Sequence, residues 1–131
     1  MERPRMRISG PTIDARDGIG LAEFYERLLG WPIVERFGTP DNGWAKVRSP
    51  DGITKIEFQG LADYEAPAWP NTPGEQQMMI HLDITVEDLD DAVAWALECG
   101  ARLAENQPRR GAHRVMLDPE GHPFCLALGT V

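Results

Sequence analysis

Three histidines, two cysteines and 21 acidic residues against 13 basic ones are the reactive groups in this 131-residue chain. Their most informative placement lies between Met79 and Val86. There Leu82, Ile84 and Val86 alternate with His81, Asp83 and Thr85, the two-residue period of a strand with unlike faces. The apolar face should pack on a helix. The other presents an imidazole and a carboxylate to water or to a pocket. Trp44 and Trp69 are candidate stacking walls for a planar or cationic ligand, with core packing the alternative for Trp44 and pinning of the surrounding segment for Trp69. His113 opens a second predicted strand and could line the mouth of a cavity. His122 falls in a turn, where a polar residue needs no further role. Cys125 lies three residues beyond His122, but a turn separates them and no acid is placed to orient the imidazole, so nucleophilic catalysis is poorly supported. No GxSxG, glycine-rich phosphate loop or CxxC is present.

The elements that must position these groups follow from periodicity and punctuation. After His81 and Asp83 the chain turns at Asp88, a good N-cap. Leu89, Ala92, Val93, Ala96 and Leu97 then form one apolar helical stripe that Gly100 ends. An earlier stretch has the same form. Asp17-Gly18 starts a helix, Leu21, Phe24, Tyr25 and Leu28 give the stripe, and Gly30 stops it. Strands are expected over 7–15, 31–37, 44–48 and 54–59, with turns at 38–43 and 49–52. In the second half strands are expected over 78–86, 102–105, 112–117 and 123–128, with a turn at 118–121. The stretch 61–77 carries Pro67, Pro70 and Pro73 and reads as a linker that its aromatics hold against the protein.

The two halves repeat. Asp17 and Asp88 are 71 positions apart, Gly30 and Gly100 are 70 apart, and the turns starting at Ser49 and Asp118 are 69 apart. The expected organisation is a first βαβββ module at 1–60, a linker at 61–77 and a second βαβββ module at 78–131. A module with one helix cannot cover its own sheet, so the two should pair into one structural domain.

The apolar fraction of 42% suits a globular domain, and a net charge of −8 without a basic run argues against nucleic acid as a partner. No apolar run approaches the roughly 20 residues of a membrane span, and no signal peptide is visible. Two free thiols, Cys99 and Cys125, are expected in a cytoplasmic protein.

The double βαβββ order resembles the vicinal oxygen chelate superfamily, the glyoxalase/bleomycin resistance/dioxygenase group, and in particular its glyoxalase-like domain branch. The stretches Ile56–Gly60, His81–Val93, Gly100–Pro108 and Asp118–Leu126 carry the resemblance, which spans almost the whole chain. It implies an α+β fold in which a curved, eight-stranded mixed sheet encloses a cavity. It also implies a divalent metal held by two side chains from each module, and homodimers. Those positions here are Gly10, Glu57 (with Gln59 on the same face), His81 and Cys125. Glycine offers no donor, and a thiol stands where a carboxylate is usual. His81, Glu57 and Cys125 together could hold Zn²⁺; Ni²⁺, Mn²⁺ and Fe²⁺ are the other candidates, though iron dioxygenase sites want two histidines and a carboxylate. Two functions are therefore expected. The first is capture of a small hydrophobic or cationic molecule in a pocket lined by His81, Glu57, Gln59, Cys125, Trp44, His113 and Asp83, without a working metal. The alternative is a divalent-metal-dependent lyase, isomerase or dioxygenase.

Overall fold

The caps set the frame. In the computed structural model, which describes residues 1–131, Asp17 accepts a hydrogen bond from the Gly20 N–H and opens helix α1 (Gly18–Leu29). Asp88 accepts from the Asp91 N–H at 2.9 Å and opens α2 (Leu89–Cys99). Gly30 (φ 69°) and Gly100 (φ 112°) close the helices in the left-handed region that favours glycine. The repeated punctuation of the sequence is thus the repeated capping of two helices.

Each helix belongs to one βαβββ module. The first holds β1 (Thr12–Ala15), β2 (Ile33–Thr39), β3 (Asn42–Arg48) and β4 (Lys55–Gly60). The second holds β5 (Leu82–Val86), β6 (Arg102–Leu103), β7 (His113–Leu117) and β8 (Pro123–Leu128). The eight strands form two four-stranded mixed sheets, ordered β1-β4-β3-β2 and β5-β8-β7-β6. In each, the first strand runs parallel to the last and the remaining pairs are antiparallel. The expected α+β arrangement of eight strands in two modules is thus present, with the two four-stranded halves joined through side chains and not by a hydrogen-bonded ladder.

Those side chains form one core. Leu21, Phe24 and Tyr25 of α1 pack with Val47, Ile56 and Phe58 of their own module and with Met116, Phe124 and Leu126 of the other, all in one buried cluster. Tyr25 sits at the junction. Its ring stacks on Phe58 at 5.4 Å and meets Phe124 edge-on at 6.2 Å.

Several boundaries differ from expectation, β6 among them, which keeps only Arg102–Leu103 of the expected 102–105; three of the differences have a clear cause. β1 begins at Thr12 and not at 7, because Pro11 lacks a donor and Gly10 turns the chain at φ 150°. β5 begins at Leu82 and not at 78: its sole partner is β8, which starts at Pro123, so residues 78–81 run beyond the ladder. The 38–43 turn shrinks to Pro40-Asp41, since Gly38 (φ 80°) and Gly43 stay paired in a tight hairpin. Segment 61–77 has no helix or strand and is pinned by two aromatics. The Tyr64 hydroxyl donates to the Glu120 carbonyl at 2.6 Å, and the Trp69 indole N–H donates to the Asn106 carbonyl at 3.2 Å.

Candidate functional site

The polar face of the second sheet gathers the chemistry. Parallel pairing puts Asp83 of β5 opposite Cys125 of β8, and antiparallel pairing puts Val115 of β7 opposite Cys125 on its other side. His81 precedes Asp83 by two residues and shares its face; His113 precedes Val115 by two and does the same. The His81 Nε2 lies 3.2 Å from Asp83 Oδ1. One ligand atom from each of His81, Asp83 and Cys125 falls within 4.8 Å of the others. His113 Nδ1 is buried and has no hydrogen-bond partner.

These four side chains line one open cleft of about 330 Å³. Trp69 of the linker forms a wall, and Gln107 and Arg109 of the β6–β7 loop complete the rim. Gln107 locks that loop in place. Its amide donates to the carbonyls of Ala104 (2.7 Å) and Val115 (2.9 Å), and its oxygen accepts from the Val115 N–H (2.8 Å). Neither Gln107 nor Arg109 stood out in the sequence, because an aperiodic polar loop gives no sign of which strand it folds over.

Glu57, Gln59 and Trp44 sit on the first sheet and do not line this cleft. Trp44 pairs with Gln59, and Glu57 pairs with both Thr12 and Lys46. The Glu57 carboxylate is nearly buried, accepts from the Thr12 hydroxyl at 3.1 Å and lies 3.5 Å from the Lys46 ammonium. That ammonium also sits 5.2 Å from the centre of the Trp44 ring, whose neighbour is Phe37 at 5.5 Å. The chain's own lysine therefore occupies the cation-attracting face of Trp44. The spacing Trp44–Lys46 was the available signal, since residues two apart in a strand share a face.

The donor set can be tested against a metal drawn from both modules. A Cβ at position 10 would come within 2.8 Å of the Lys55 carbonyl oxygen, so the backbone there leaves no room for a ligand side chain. The Glu57 oxygens are engaged by Lys46 and Thr12. Nitrogen, oxygen and sulfur donors converge within the second module instead.

Burial, and after it the Asp83 charge, push the Cys125 thiol above its ordinary range. Alkylation of Cys125 by iodoacetamide should therefore stay slow at neutral pH and accelerate only above the usual thiol range. Asp83→Asn should move the rise to lower pH. Peptide mapping of labelled Cys125 against pH checks this, and an unchanged profile in Asp83→Asn would show that the carboxylate exerts no influence there.

The sequence matches the family profile described as the glyoxalase-like domain over residues 11–127. The chain belongs to that family. Its glyoxalase-like fold is also that of solved structures in the glyoxalase/bleomycin resistance/dioxygenase group. A glyoxalase family protein from Enterococcus faecalis is 21% identical, with a TM-score of 0.66 over 92% of this chain and 96% of its own. A fosfomycin resistance protein from Mesorhizobium loti is 15% identical, with a TM-score of 0.65 over 98% and 95%. The trypanothione-dependent glyoxalase I of Leishmania major is 18% identical, with a TM-score of 0.61 over 94% and 87%. At such identities the likeness is one of fold. No characterised protein matches the chain by sequence. No helix is long and apolar enough to cross a membrane.

Proposed function

We propose that this glyoxalase-like chain captures a small, partly apolar molecule bearing a positive charge or a hydrogen-bond donor, in the cleft of the second sheet. The observation that supports this most is the pairing of a carboxylate with an aromatic wall in one concavity. Asp83 keeps 66% of its side chain exposed, and Trp69 and Val115 line the same cleft. A volume of about 330 Å³ suits a ligand at the small end of the usual range. Asp83 accepts from the ligand's polar end, His113 and His81 offer donors or acceptors beside it, and Trp69 covers its apolar body.

A library of hydrophobic amines and neutral aromatics, screened by thermal shift and followed by titration, tests the reading. Trp69→Ala should weaken any hit roughly tenfold, as loss of about 1–1.5 kcal/mol of aromatic contact implies. Trp44→Ala should leave the hit unchanged. The reverse pattern would place the ligand on the first module and overturn the assignment.

The second reading is a divalent-metal-dependent lyase, isomerase or dioxygenase, and the convergence of His81, Asp83 and Cys125 favours it. A bound ion would supply Lewis-acid polarisation of a substrate oxygen. Asp83 of β5 and His81 just before it would hold it, while Trp69 and the Gln107-anchored loop would orient the substrate and keep water from it.

A further inference from the structure

We propose that the second module alone builds a zinc site, with His81, Asp83 and Cys125 as three ligands and His113 Nδ1 as the fourth. The site differs from one shared between modules in composition and place. It takes one donor from β5 (Asp83), one from the residue just before it (His81), one from β8 and one from β7. It needs nothing from the first sheet, and it holds whether or not the cleft also takes an organic ligand.

Register is the first argument. Asp83 and Cys125 are direct partners in the parallel β5–β8 pair, and His81 lies on the same face two residues earlier. Backbone pairing therefore brings Asp83 and Cys125 together, and His81, one residue before the ladder, joins them through its side-chain approach to Asp83. His81 and Asp83 already approach to 3.2 Å, and all three ligand atoms lie within 4.8 Å. Zinc bonds of about 2.0–2.3 Å in a tetrahedron place ligand atoms roughly 3.5 Å apart, so side-chain rotations of about an ångström close the set.

Donor chemistry is the second argument. One imidazole, one carboxylate and one thiol suit a borderline-soft cation without a strong geometric preference. Zinc accepts all three donor types, whereas magnesium and calcium take oxygen alone.

His113 is the third, and it is independent of the trio. Its Nδ1 is buried without any hydrogen-bond partner, and its side chain lines the same cleft as His81, Asp83 and Cys125. A buried polar nitrogen left unsatisfied is costly in a folded protein and calls for an occupant. Val115↔Cys125 pairing sets His113 diagonally across from Cys125 on the shared face, so a side-chain rotation would be needed to bring its Nδ1 to an ion held by the other three.

The test uses the full chain, stripped with chelator and titrated with Zn²⁺ by calorimetry, and with Co²⁺ by absorption spectroscopy. One equivalent per chain is expected. Co²⁺ should give tetrahedral d–d bands and a sulfur-to-metal charge-transfer band, and Cys125→Ser should remove the latter. His81→Ala, Asp83→Asn and Cys125→Ser should each weaken zinc binding at least tenfold, and His113→Ala about tenfold, with circular dichroism confirming that each variant is folded. Glu57→Gln should leave affinity unchanged. Absence of stoichiometric binding overturns the site. So does loss of zinc in Glu57→Gln with retention in Asp83→Asn, which would move the site between the modules. Unchanged affinity in His113→Ala overturns the fourth ligand.

Discussion

Phe124→Ala is expected to destabilise the protein by about 3–5 kcal/mol, within the range for deleting a buried aromatic ring. Phe124 is fully buried, and its contacts make it more than a local core residue. It sits on β8 between two strands, opposite Leu82 on one side and Met116 on the other. Its ring reaches across the module boundary to Phe24 at 6.3 Å and Tyr25 at 6.2 Å, both on α1. The two sheets share no hydrogen-bonded ladder, so apolar contacts of this kind carry much of the cohesion between the halves. Truncation would leave a cavity walled by elements of both modules, each anchored in its own sheet and slow to collapse inward. At roughly 3–5 °C per kcal/mol for a domain of this size, the melting temperature should fall by about 10–20 °C. Urea unfolding of wild type and variant measures it directly. A loss under about 1 kcal/mol would mean that the modules do not depend on this contact. The effect should extend to the site, because Phe124 precedes Cys125 on the same strand and fixes which face Cys125 presents.

The capping residues were legible in the sequence because capping is local. Asp17, Asp88, Gly30 and Gly100 declare themselves by residue type, and the near-constant offset between them reveals the duplication before any contact is known. Strand ends were less legible, because a strand ends where its partner ends. The alternation through Met79–Leu82 continues without a break, yet the ladder starts only at Leu82, where β8 emerges from its turn. The same distinction runs through the site. Asp83 and His81 share a face by simple alternation, which the sequence displays. That Cys125 lies opposite Asp83, and that His113 joins them, depends on the registers of β5–β8 and β7–β8, which are non-local. Glu57 occupies the place in the first module that Cys125 occupies in the second, as the offset implied. What offset arithmetic could not supply was the company Glu57 keeps, with Lys46 and Thr12 meeting its carboxylate.

Asp118→Ala is expected to cost about 3 kcal/mol or more, through polar groups left without partners and not through lost volume. Asp118 is fully buried in the turn that carries the chain from β7 to β8. Its Oδ1 accepts from the N–H groups of Glu120 (2.9 Å) and His122 (3.0 Å), the turn-forming role its sequence position implies. Its Oδ2 accepts from the Tyr25 hydroxyl at 2.9 Å, a bond from the second module to the helix of the first. Alanine would strand that buried hydroxyl and two amides, each worth about 1–3 kcal/mol when unsatisfied. The turn is tied to the first module and to the linker elsewhere too: Glu120 accepts from the Asp17 N–H at 2.8 Å, and His122 Nε2 lies 2.5 Å from the Asp14 carbonyl and 3.2 Å from the hydroxyl of Tyr64 in the linker. Loss of Asp118 should therefore loosen a bundle of contacts between the modules. Desolvation raises the Asp118 carboxyl above its ordinary value of 3.8, against the opposing pull of His122, Tyr25 and the two amides. A carboxyl whose pKa is higher folded than unfolded favours the native state most below its unfolded value. That contribution declines as pH rises through the folded value. Asp118→Asn keeps Oδ1 for both amides and cannot ionise, so it should cost much less than Asp118→Ala and should flatten this part of the stability–pH profile. Urea unfolding of wild type and both variants from pH 4 to pH 7 decides the matter. Equal losses in the two variants would refute the hydrogen-bond account, and an unchanged slope in Asp118→Asn would refute the titration. The expected ordering follows from the atoms each variant keeps: asparagine still offers an oxygen to the Glu120 and His122 amides and an amide nitrogen that can donate to the Tyr25 hydroxyl in place of Oδ2, where alanine offers no polar atom at all.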